Sequence, residues 1–195
     1  MGMKRGMLAA VLAGAMLLGG CGGSSTDSPA ATEAAAQMQV LYDKENLDPD
    51  CAAVVEEYFT AINNQDYDAY KTCIFPVYYE YMEQMLQEHY QYGMEQSFRK
   101  RCTGFLTEGH SSYRFTSLQL SYAADESLDS YFSSMKSVFG EDFQQDAEGA
   151  MESHHVVLFS LSGQYDNTGE ERTLVQDNEL IVAKAKSDGR YYVFG

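Results

Sequence analysis

Ala53-Val54-Val55-Glu56-Glu57-Tyr58-Phe59-Thr60-Ala61-Ile62-Asn63-Asn64-Gln65-Asp66-Tyr67-Asp68-Ala69-Tyr70 is the stretch whose reading decides the fold. Val55, Tyr58, Phe59 and Ile62 recur at helical spacing, which predicts one buried face. Just upstream, Asp48-Pro49 is a helix start, with an acidic N-cap and Pro at the first helical position. Asn63-Asn64 ends that helix, and Asp66 caps a short second one carrying Tyr67, Ala69 and Tyr70.

Downstream, Cys73-Ile74-Phe75-Pro76 is a brief apolar break, because the residue before Pro disfavours helix. A third helix follows. Tyr78, Tyr81, Met82, Met85 and His89 share one side, and Gly93 interrupts the pattern before Cys102. Residues 113–122 read as a strand. Leu128, Tyr131, Phe132, Met135, Val138 and Phe139 return to helical spacing and Gly140 closes them. Six such side chains in water would cost roughly 1.5–3 kcal/mol each, so this helix should dock, over a sheet face or as a lid. Residues 141–152 are polar and read as a loop. Residues 154–165 and 172–186 read as strands joined by a turn at Asp166-Asn167-Thr168-Gly169, and residues 190–194 as a closing strand. Helices first and antiparallel strands last make an α+β chain.

The helix-turn-Asp-helix opening resembles that of NTF2-like (cystatin-like α+β cone) domains. The ending Asp188-Gly189-Arg190-Tyr191-Tyr192-Val193-Phe194-Gly195 is similar to the close of lipoproteins of that kind, with Tyr191 where a Trp is usual. The resemblance covers residues 48–195. It implies N-terminal helices packed on a curved antiparallel sheet, with residues 127–139 as an inserted amphipathic helix. It also implies a cone-shaped cavity lined by Tyr58, Phe59, Ile62, Tyr78, Tyr81, Met82 and Met85, facing the inward residues of 154–161, His155 among them. Such an apolar lining with hydroxyl tips suits a mostly apolar ligand. Some relatives of this kind are isomerase-, dehydratase- or cyclase-type enzymes and many have no catalytic role.

The N-terminus fixes where the chain works. Lys4 and Arg5 precede a short apolar run ending Leu18-Gly19-Gly20-Cys21. The run is shorter than the about 20 residues a membrane span needs. The ending resembles the lipobox of bacterial lipoproteins, in which the Cys thiol receives a diacylglyceryl group. The expected division is a signal peptide at residues 1–20 and a lipidated N-terminus with flexible tether at 21–47. The domain follows at 48–195, with order beginning between Met38 and Asp48. Residues 22–37 are rich in Gly, Ser, Thr and Ala and would reach roughly 20–25 Å from the bilayer. Two acyl chains give stable anchoring where one is marginal.

The whole sequence carries a net charge of −16. Removing Lys4 and Arg5 with the signal leaves it more negative still. That charge excludes nucleic acid and anionic headgroups as partners held by electrostatics. The expected partners are the membrane, through the lipid, and an apolar small molecule or an envelope protein. No cofactor and no metal site is expected.

In an exported protein Cys51, Cys73 and Cys102 allow three single bridges. Cys73 and Cys102 would stand far apart if residues 76–101 were one straight helix. Cys51–Cys73 and Cys51–Cys102 remain, the first as the more local closure. Of the histidines, His154 and His155 point to opposite sides of a strand and cannot act together. His155 shares a side with Val157, Phe159 and Leu161 and is the candidate general base, although a structural role is the simpler account. His89 sits on the apolar side of the third helix, and His110 falls in a loop. No Ser-His-Asp set, phosphate loop or acidic metal loop can be assembled. The reading is therefore a membrane-anchored, extracytoplasmic, non-enzymatic binding or accessory module. The alternatives are a small-molecule enzyme or a protein-interaction module.

Overall fold

The first long helix, α1 (Pro49–Asn64), starts and stops where its sequence dictates. Asp48 accepts a bond from the Asp50 N–H at 2.9 Å, and Gln65, in the left-handed conformation, returns its N–H to the last carbonyls. Asp66 caps α2 (Tyr67–Cys73) through the Ala69 N–H. Ile74 then forms a parallel bridge with Val193 before Pro76 opens α3 (Pro76–Tyr90). Gln91 takes a positive φ of 59° and the chain turns at Gly93 into α4 (Met94–Gly104). No side chain within that turn caps α4. The Glu83 carboxylate reaches over from α3 and accepts the Met94 N–H.

The computed structural model describes residues 37–124 and 127–194, all within one unit, Ala36–Gly195. The expected signal peptide, Cys21 and the tether as far as residue 36 lie outside the described residues. Residues 38–47, counted above with the tether, are ordered. Met38 and Leu47 are buried, and between them runs β1 (Gln39–Tyr42). Four residues alternate too briefly to be recognised as a strand. Their partner is β2 (Tyr113–Tyr122), far along the chain.

That pairing is parallel, so the sheet is mixed and not wholly antiparallel as expected. Four helices separate the two strands, which is the long crossover a parallel pair requires. The rest is antiparallel, built from β2, β3 (Met151–Tyr165), β4 (Glu171–Ala185) and β5 (Tyr191–Phe194) in the order β1-β2-β3-β4-β5. Register shifts between Phe115 and Ser117 and along β3 mark bulges, which bend strands and raise their twist. The α+β class expected from the sequence holds.

Two helices lie between β2 and β3. The first, α5 (Asp129–Phe139), is the amphipathic helix expected to dock, and it does. Phe132 is buried, Tyr131 meets Phe194 edge-on, and Phe139 packs on Tyr78 and Tyr81. The second, α6 (Asp142–Ala150), occupies the stretch read as a loop. Its apolar stripe is Phe143 and Ala147 alone, four apart and both buried, in an otherwise polar segment. Tertiary packing on Tyr81, Phe132 and Phe139 forms this helix where its own composition argues against it.

The core lies between α1 and the sheet. Phe59 packs on Phe159 at 4.9 Å and edge-on to Phe115, with Val55, Val157, Leu161, Val182 and Val193 inaccessible around them. Cys51, Cys73 and Cys102 are all buried, each as a thiol. Cys73, at the end of α2, faces Glu57 and Arg190. Cys102 lies beside Tyr113 on the first long strand. Burial pushes the Cys73 thiol up to about 11, so it is unreactive at neutral pH.

Candidate functional site

The residues expected to line one cavity fall into separate neighbourhoods. Phe59 and Ile62 belong to the close-packed core. Tyr81 turns the other way, toward α6, where its hydroxyl donates to Asp146 at 2.6 Å and its ring meets Phe143. The bond to that carboxylate, with some desolvation, pushes the phenol up to about 12. Met82 and Met85 are half-buried on α3. His155 lies near the start of β3, stacked on Tyr122 at 4.6 Å and tilted against Tyr191.

Around His155 the start of α1 joins the sheet. The Tyr191 hydroxyl donates to Asp48 at 2.9 Å, and the Asp48 N–H donates to the Tyr122 hydroxyl at 3.2 Å. The Asp48 carboxyl is held below the usual range, chiefly by the Asp50 N–H and then by Tyr191, His155 and Lys184, against some desolvation. One carboxylate thus serves both as a helix cap and as an acceptor for β5.

A second polar group was invisible in the sequence. His110 Nδ1 lies 2.7 Å from Asp166 Oδ2, and its ring stacks on Tyr165 at 4.4 Å. The other Asp166 oxygen accepts from the N–H and hydroxyl of Ser111 and from the N–H of Ser112. The serines therefore bond the carboxylate and not the imidazole, so no activated hydroxyl results. The group ties the loop before β2 to the β3–β4 hairpin. The 54 to 56 positions that separate Asp166 from Ser112, Ser111 and His110 hide it from any local reading.

A further neighbourhood is where Tyr58 and Tyr78 come together, with Arg101 of α4 between them. Arg101 donates to the Tyr58 hydroxyl at 2.5 Å. Its guanidinium also faces the phenols of Tyr70 and Tyr78. Tyr58, Tyr70 and Tyr78 are each no more than 5% exposed and come from α1, α2 and α3 in turn. Burial pushes the Tyr78 phenol up to about 12 and Tyr70 well above its ordinary value, with Arg101 opposing both shifts. The phenol oxygens of Tyr58 and Tyr70 in turn hold Arg101 in its charged form against desolvation. The spacing of Met94, Phe98 and Cys102 places Arg101 beside the buried side of α4, a signal the sequence carried and the reading missed.

No family model, curated protein or solved structure matches the chain. Function therefore has to be argued from the chemistry of its own sites. Two open grooves are also present. One of about 270 Å³ lies between α1 and α2, beside Glu57, Thr60 and Cys73. Another of about 440 Å³ lies beside Phe75, Val77, Ala150 and Ala185. Neither includes His155, Arg101 or the tyrosines around it. Among the described residues no group of three or more His, Cys, Asp or Glu is placed to hold a metal.

Proposed function

We propose that the chain is a lipid-anchored, extracytoplasmic binding module with an NTF2-like domain, held at the membrane through Cys21. The observation that carries the proposal is Leu18-Gly19-Gly20-Cys21 behind a basic, apolar leader. The arrangement downstream supports it: a low-complexity stretch leads into one unit that begins at Ala36. The domain reading draws support from the run of α1, α2 and α3 ahead of a bulged sheet. The strong negative charge keeps the tethered domain off an anionic membrane surface. Its task, in this reading, is to hold an apolar small molecule or an envelope protein without turning it over.

One observation favours a second reading. Asp48, Tyr191 and His155 stand together, half-buried, which is material for general acid–base chemistry in an isomerase, dehydratase or cyclase. In the binding reading His155 is a packing residue between two tyrosine rings.

Metabolic labelling with a palmitate analogue tests the anchor. The wild-type chain should label and partition with membranes, and Cys21→Ser should do neither. A Cys21→Ser chain that still labels and stays in the membrane fraction would overturn the proposal.

A further inference from the structure

We infer that Arg101 anchors a binding site for an organic monocarboxylate, set among the four N-terminal helices. This deepens the binding-module reading but does not depend on the lipid anchor.

The first argument is charge. The sequence holds 29 Asp and Glu against 13 Lys and Arg, so most cations should find a carboxylate. Arg99 pairs with Glu95, and Lys100 lies over the Tyr92 ring at 3.8 Å. Arg101 makes no ion pair among the described residues, and a single phenol takes one of its five N–H donors. A guanidinium with unused donors and no counter-charge beside it is open to a carboxylate, which takes two of them at once.

The second argument is position. Met94, Phe98 and Cys102 bury one side of α4, and Arg101 adjoins them, with its head against the buried hydroxyl of Tyr58. Arg101 is nonetheless an exposed residue. Part of the side chain therefore meets solvent while its head bonds the Tyr58 hydroxyl. Tyr131 of α5 adds an independent sign. Its hydroxyl is buried beside Tyr78 and has no hydrogen-bond partner. Buried hydroxyls are normally satisfied.

The ligand class follows from these groups. A planar guanidinium fork matches a carboxylate with two parallel bonds. With Arg99 and Lys100 engaged elsewhere, the site offers one positive charge, which suits a monoanion and not a phosphate dianion. The surrounding phenol rings suit a compact, flat apolar body behind the carboxylate.

Titration of the purified protein with sodium benzoate, followed by two-dimensional NMR, tests the site. Benzoate should bind the wild-type chain, and inorganic phosphate should bind more weakly. Arg101→Gln should weaken benzoate at least tenfold. Arg101→Lys, which keeps the charge and loses the fork, should weaken it by a smaller factor, and Tyr131→Phe should also weaken it. If Arg101→Gln does not fold, the Lys and Phe variants carry the test. The inference is overturned if benzoate leaves the wild-type spectrum unchanged, if the variants that fold bind it as well as wild type, or if phosphate binds more tightly. Because Cys21 labelling is read separately, losing this site leaves the anchored-module reading standing.

Discussion

Asp48→Ala should be among the most damaging single changes at the surface of this fold. Asp48 does two jobs with one carboxylate: it caps α1 through the Asp50 N–H and accepts the Tyr191 hydroxyl from β5. Losing an N-cap costs about 1 kcal/mol. Losing a hydrogen bond to a charged acceptor costs about 1.5–3 kcal/mol, and the low end applies because water can reach the half-buried Tyr191. Together the loss is roughly 2–3 kcal/mol, or about 5–10 °C in Tm for a domain of this size. Asp48→Asn keeps a competent cap and gives up the charge, so it should cost about half as much at pH 7. The carboxyl is lowered in the folded state, so its extra stabilisation is present above the unfolded carboxylate value, near 4. It fades as pH falls through the folded value, and the gap between wild type and Asp48→Asn should close there. Urea unfolding between pH 3 and 8 measures all three chains. An Asp48→Ala loss under 1 kcal/mol, or a gap to Asp48→Asn that widens toward acid, would refute the reasoning.

Two further outcomes are expected. A Cβ on Gly163 would lie 2.6 Å from both the Arg114 carbonyl oxygen and Leu174 Cδ1. Backbone gives way less readily than a side-chain tip, so Gly163→Ala should destabilise by about 1–3 kcal/mol in urea unfolding. Asp166 is held far below the usual carboxylate range, first by His110 and then by Ser111 and Ser112. Its contribution is therefore present above the unfolded value and lost toward acid, and Asp166→Asn should flatten the acid limb of the stability–pH curve.

What was legible in the sequence was what is local. Asp48-Pro49, Asp66 and Gly140 each cap or stop a helix with atoms a few residues away, and the bounds of α1, α2 and α5 follow from them. The β3–β4 hairpin is likewise announced by its own turn, where Asp166 and Asn167 take positive φ. The features that escaped are those whose partners are remote. β1 exists because β2 lies beside it, and α6 because Tyr81 and Phe139 cover Phe143. Helix α4 is capped by Glu83 from another helix. The site residues show the same division: Tyr58 and Tyr78 follow from helical periodicity and Arg101 adjoins the apolar stripe of α4, but that the three meet depends on how the helices pack.

The tyrosines themselves argue that the joining matters. A core that needed only volume would use Phe, which carries no hydroxyl to desolvate, and burying a hydroxyl without a partner costs about 1–3 kcal/mol. Phe59, Phe98 and Phe115 fill such positions in this same core. The Tyr58 hydroxyl instead accepts from Arg101, whose charge also acts on the phenols of Tyr70 and Tyr78. Among the described residues Arg101 gives one of its five donors, to Tyr58, and meets no carboxylate. A bound carboxylate would complete the arrangement, since it supplies the missing charge and accepts the donors that Arg101 still has to give.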